Sequence, residues 1–143
     1  MPLHQIFYVS RSLALPGQVS DILLVARVRN AQAGITGALL CTGGFFAQVL
    51  EGPREALQRT MACIDADARH ADVTRLLQAG LDARRFADWS MAFTERPGAD
   101  DLVEHLVGLQ PVEPSRALRL VQLMFSGVAA APAQPSSKGA RNS

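Results

Sequence analysis

Three side chains with hydrogen-bonding tips stand among apolar neighbours in this sequence: Tyr8, Asn30 and Gln48. Gln48 is the most demanding, because it falls inside the apolar run Phe46-Ala47-Gln48-Val49-Leu50. An amide buried in a sheet face without partners costs on the order of 1–3 kcal/mol, so something has to meet it. Strand alternation puts Gln48 on one face with Phe46 and Leu50, and Tyr8 on one face with Ile6. Ile22 and Asn30 are spaced i and i+8 on a helical segment, so they point within about a quarter turn of each other. Ile64 comes from a second helical segment. Two branched side chains facing each other make a slot for a flat ring. An Asn, a Gln and a phenol hydroxyl suit a heteroaromatic that presents carbonyl and ring-nitrogen acceptors.

Other chemistries find little footing. His4, His70 and His105 are far apart and show no metal-ligand spacing. There is no GxGxxG or GxxxxGK loop to cradle a phosphate and no serine in a nucleophile elbow. Glu51 and the acids of Asp65-Ala66-Asp67 read as solvated helix and turn positions rather than an acid–base pair. Cys41 and Cys63 read as small buried hydrophobes, not as a disulfide or a metal knuckle. Taken singly, Arg69-His70 reads as a solvated helix cap, and Trp89 and Met91 as alternate packing residues of one strand.

The elements that must position these groups follow from the apolar periodicities. Leu3 to Ser10 reads as a strand and Gln18 to Ala33 as a helix carrying Ile22, Val25, Ala26 and Arg29, with Gly34 as its stop. Gly37 to Thr42 and Phe45 to Glu51 form a hairpin around Gly43-Gly44, a pair that accepts the positive φ angles of a tight turn. Pro53-Arg54-Glu55 opens a second helix that runs to about Ala68, with Leu57, Met61 and Ile64 in line. Val73 to Gln78 and Asp88 to Thr94 are further strands. This β-α-β-β-α-β-β order predicts an α+β, ferredoxin-like sheet with both helices on one face. The consecutive apolar run Gly37 to Cys41 calls for cover on the other face as well. Two amphipathic segments, Asp100 to Val107 and Ser115 to Phe125, can supply it. The expected organisation is residues 1–96 as the ligand-binding domain, 97–127 as a helical extension, and 128–143 as a disordered tail rich in Ala, Pro and Ser.

A chain of 143 residues can bury a full core, and 14 Lys and Arg against 13 Asp and Glu leave a charge of +1. That balance offers no footprint for nucleic acid. No run is long and apolar enough to span a membrane, so the expected setting is cytoplasmic, with no membrane partner.

In register, these residues resemble the BLUF domain, the blue-light sensor using FAD. The resemblance rests on Tyr8-Val9-Ser10-Arg11; Asn30 with Gly34-Ile35-Thr36-Gly37-Ala38-Leu39-Leu40; Phe46 with Gln48-Val49-Leu50-Glu51-Gly52; Ile64 with Asp67-Ala68-Arg69-His70; and Arg85-Phe86 with Trp89-Ser90-Met91. It covers residues 3 to 94. It implies a flavin, FAD with FMN or riboflavin as variants, whose ring lies between the helices, edged by Ile22 and Ile64. Asn30 and Arg69 would serve its pyrimidine edge, His70 would lie near the ribityl chain, and Gln48 would bridge Tyr8 and the flavin. Light would move an electron and a proton from Tyr8 and back, leaving Gln48 rotated or tautomerised. Trp89 and Met91 would pass the change to the carboxyl-terminal helices. No enzymatic output segment is expected, so a homo-oligomer or a downstream signalling protein would receive the signal. Two other readings stay open at this point, an acylphosphatase-like hydrolase and a flavin-free regulatory module, although Ser10-Arg11-Ser12-Leu13 lacks the glycines of a phosphate loop.

Overall fold

The computed structural model describes residues 2–15, 17–108 and 113–129. The chain runs β1 (Leu3–Ser12), α1 (Gln18–Ala33), β2 (Thr36–Cys41), β3 (Phe45–Pro53), α2 (Arg54–Asp65), β4 (His70–Leu81), β5 (Ala92–Glu95), α3 (Asp100–Leu106) and α4 (Pro114–Ala129). One five-stranded sheet has the order β4-β1-β3-β2-β5. Every pairing is antiparallel except β2 with β5, which is parallel. The α+β architecture read from the sequence is present.

Strand parity sorts the core into two layers. Phe7, Val9, Ala38, Leu40, Ala47 and Val49 point to one face, and Val103 and Leu106 of α3 with Ala117, Val121, Met124 and Phe125 of α4 close over it. Phe125 packs edge-on against both Phe7 and Phe86. The helical extension therefore supplies the second cover that the apolar run of β2 requires. Ile6, Tyr8, Leu39, Phe46 and Leu50 point to the other face, beneath Leu23 of α1 and Ala56, Leu57 and Met61 of α2.

Two glycines are demanded by geometry. Gly34 stops α1 in the left-handed region (φ 74°), and its N–H caps the Asn30 carbonyl. At Gly37 a Cβ would come within 2.1 Å of the Val49 carbonyl oxygen, so β2 and β3 could not approach as they do with any larger residue.

Several boundaries differ from the sequence expectation. The Gly43-Gly44 turn uses no positive φ. The Asp100 carboxylate takes the space beside it instead, accepting from the Gly44 N–H (3.0 Å) and from the Thr42 hydroxyl, and so ties the hairpin tip to α3. α2 ends at Asp65 rather than near Ala68, and β4 begins at His70 rather than Val73. Pairing with the inner strand β1 carries β4 outwards over polar residues, across two register shifts. β5 is confined to Ala92–Glu95, which leaves Trp89 and Met91 in irregular backbone before it. α4 runs to Ala129, and from residue 130 the expected tail lies outside the described residues.

Candidate functional site

A cleft of about 280 Å³ opens between α1 and α2 above the sheet. The antiparallel register of β1 and β3 sets Tyr8 directly opposite Gln48, and both contribute to its floor with Leu39, Phe46 and Leu50. Ile22, Val25, Ala26, Arg29 and Asn30 of α1 form one wall; Thr60, Cys63 and Ile64 of α2 form the other. Asp67, Arg69 and His70 close the end where α2 turns into β4. The cleft thus brings together Tyr8, Ile22, Asn30, Gln48, Ile64, Arg69 and His70.

At the floor the Tyr8 hydroxyl donates to Gln48 Oε1, and Gln48 Nε2 donates to the Met91 thioether at 3.3 Å. Burial raises the Tyr8 pKa well above the ordinary phenol value, with the charges of Asp65 and Asp67 adding to the effect, so the hydroxyl keeps its proton. Met91 is buried behind Gln48. Trp89 is not at the cleft: it is buried in the opposite layer, with Phe86 and the residues of α3 and α4. The two are not alternate residues of a strand, because donors outside any ladder hold the backbone there. The Gly37 N–H takes the Trp89 carbonyl (3.1 Å), Asn30 Nδ2 takes that of Ser90 (2.9 Å) and Arg27 Nε takes that of Met91 (2.9 Å).

Arg69 is not on the helix end. It lies in the turn, where its backbone N–H and guanidinium both grip Asp67, the Nη2 at 2.7 Å. That grip holds the Asp67 carboxyl down at about 2 and raises the Arg69 pKa. His70 opens β4. Its Nε2 meets the Ile64 carbonyl, which can only accept, so Nε2 carries the hydrogen and the Ser10 hydroxyl donates to Nδ1 at 3.0 Å. Both ring nitrogens are thereby engaged, and His70 presents ring carbon to the cleft.

Glu51 and Cys63 overturn their sequence readings. Glu51 is fully buried: Oε1 accepts from the Thr36 hydroxyl (3.0 Å) and the Phe86 N–H (3.0 Å), and Oε2 from the Arg85 N–H (2.7 Å). It fastens the loop before Trp89 to the end of β3. Cys63 is exposed at the cleft rather than buried, and Cys41 is half-buried with its thiol pushed up to about 12 by burial. Among the described residues no group of three or more His, Cys, Asp or Glu is placed to hold a metal, and no helix is long and apolar enough to cross a membrane.

A family model described as BLUF, sensors of blue-light using FAD, matches residues 3–92. The chain belongs to the BLUF family. By that membership it is a BLUF sensor of the flavin-binding, blue-light type. The BLUF chain is 42% identical over 74 residues to the photoactivated adenylate cyclase subunit beta of Euglena gracilis, a match spanning 51% of this chain and 9% of that protein. It is 36% identical over 74 residues to the blue light- and temperature-regulated antirepressor BluF of Escherichia coli, spanning 52% of this chain and 18% of that protein. Among solved structures, BlrB, a BLUF protein in its dark state, superposes with a TM-score of 0.68 at 35% identity, over 91% of this chain and 97% of that one. Klebsiella pneumoniae BlrP1, with FMN and cyclic diGMP, gives 0.65 at 29% identity, over 87% of this chain and 35% of that one.

The residues present fit a flavin. Gln48 Nε2 carries two hydrogens, and its acceptor among the described residues is a thioether sulfur, a weak one. Asn30 uses one amide hydrogen on Ser90, leaving the rest of its tip for the cleft it lines. Apolar walls with a few convergent polar groups suit a flat ring that carries carbonyl and ring-nitrogen acceptors.

Proposed function

We propose that this BLUF chain senses blue light with FAD held between α1 and α2, with Tyr8, Gln48 and Met91 as the switch. The hydrogen-bonded line Tyr8–Gln48–Met91 at the floor of the cleft carries this reading. Ile22 and Ile64 would flank the ring, Asn30 and Arg69 would serve its polar edge, and His70 would pack against the chain leading away from it. Exposed Arg29 at the cleft supplies positive charge suited to a diphosphate, which favours FAD over riboflavin.

A flavin bound there supplies absorption of blue light and an excited-state acceptor for an electron and a proton. Tyr8 holds the proton to be moved on a hydroxyl already aimed at Gln48 Oε1. Gln48 has one donor end and one acceptor end, so reversing it exchanges them towards fixed neighbours in a dry site. Reversal turns Nε2 to the phenol oxygen, which accepts. It turns Oε1 to the Met91 sulfur, which also accepts, so Met91 has to yield. Met91 leads directly into β5, and α4 packs against β2, β4 and β5. The helical extension, residues 97–127, then presents the change to a second copy or to a downstream signalling protein.

The test is direct. Purified protein is expected to be yellow, to release FAD rather than FMN on denaturation, and to show a reversible red shift of flavin absorption under blue light. A colourless protein after expression with ample flavin, or a spectrum unmoved by illumination, would refute the reading.

A further inference from the structure

The inward stripe of α1 is Leu23, Arg27 and Asn30, spaced i, i+4 and i+7, with Leu23 and Asn30 buried and Arg27 half-buried between them. Arg27 is not among the residues that line the cleft. Among the described residues its guanidinium has no carboxylate partner; its Nε instead donates to the Met91 carbonyl at 2.9 Å. An Arg stays charged even where burial lowers its pKa, as it does here, and a hydrogen bond from a charged donor is about twice as strong as a neutral one. The same Met91 places its sulfur on Gln48 Nε2 at 3.3 Å.

Resting on the light-sensing reading above, we propose that Arg27 is a positioning residue of the switch: by gripping the Met91 backbone it holds the thioether against Gln48 and sets how fast the dark arrangement re-forms. The sulfur is an acceptor that suits only one orientation of the amide. A reversed Gln48 therefore expels Met91, and re-forming the dark state needs Met91 back on the Arg27 guanidinium. A contact present in the dark arrangement and already partly made in the recovery transition state speeds recovery. Removing it slows recovery while the light-driven step, which needs no thermal activation of that contact, goes on as before.

The experiment compares wild type with Arg27→Leu, which keeps an apolar stem without donors, and Arg27→Lys, which keeps a cationic donor. Bound flavin, the red shift, the dark-recovery rate and the ¹³C-methyl NMR signal of Met91 are read in each. All three proteins should hold flavin and show the full red shift. Recovery of Arg27→Leu should slow on the order of tenfold, with Arg27→Lys between it and wild type and the Met91 signal of dark Arg27→Leu shifted or broadened. Recovery of Arg27→Leu within about twofold of wild type would overturn the proposal. Loss of flavin from both variants would overturn it too, by making Arg27 part of the cleft's framework. A wild-type protein without any red shift would sink the sensor reading itself, an outcome distinct from a failure at Arg27.

Discussion

Tyr8 and Gln48 are direct partners across the β1–β3 ladder, and the phenol of one donates its hydrogen to the amide oxygen of the other. Opposed residues of an antiparallel pair share a face with Cβ atoms about 4.5–5.5 Å apart, so the contact follows from register. A slip of one residue would send Gln48 into the layer under α3 and α4. Register thus sets the contact on which the proposed switch depends.

Tyr8→Phe should keep flavin bound and abolish the red shift, because the ring still packs while the movable proton is gone. Gln48→Leu should behave alike, since it removes the element whose reversal makes the second state. Tyr8→Phe leaves a buried amide oxygen without its donor and should cost about 1–3 kcal/mol of stability. Absorption spectra before and after illumination, with denaturant unfolding alongside, decide both points.

Trp89→Ala should separate stability from light response. The indole is 4% exposed within the layer beneath α3 and α4, so its removal should cost about 3–5 kcal/mol. Because that layer faces away from the cleft, flavin and red shift should survive at low temperature, with an altered recovery rate. Loss of flavin from folded Trp89→Ala would contradict this.

Glu51→Gln should destabilise by about 2–4 kcal/mol, as an amide nitrogen replaces an oxygen that now accepts from backbone N–H groups of Arg85 or Phe86. Guanidinium chloride titration of the two proteins measures it. Equal midpoints would show that the loop before Trp89 is held by other means.

Acid should loosen the Asp67–Arg69 end of the cleft. The Asp67 carboxyl is lowered from 3.8 to about 2, chiefly by its hydrogen bonds from Arg69. A depressed carboxylate stabilises above its unfolded value and loses that contribution as pH falls through the folded one. The advantage of wild type over Asp67→Asn should therefore be full above about pH 4 and vanish towards pH 2. Since the pair is partly exposed, the effect is a fraction of a kcal/mol, visible as converging melting temperatures.

Strand alternation assigns Tyr8 and Gln48 to faces, but β1 and β3 are apolar at consecutive positions on both faces, so only the observed register brings the two residues together. The line Ile22, Val25, Ala26 and Arg29 was readable, and it faces the cleft. Arg27 is not legible in the sequence because the stripe that meets the sheet lies one position over, where a cation breaks the apolar pattern. Trp89 and Met91 looked like strand residues; no periodicity reveals that the carbonyls around them are taken by Gly37, Asn30 and Arg27. Glu51 looked solvated because a charge at a strand end usually is, and only the fold supplies the amides that bury it.

The order β4-β1-β3-β2-β5 sets Tyr8 and Gln48 on adjoining inner strands and Met91 at the entrance to a four-residue edge strand. Inner strands open to solvent only when the whole domain unfolds, whereas an edge can breathe on its own. Illumination should therefore leave the amides of β1 and β3 fully protected from deuterium and quicken exchange across residues 88–95. On the proposed mechanism, light would be received on strands paired on both sides and its effect would leave through an edge.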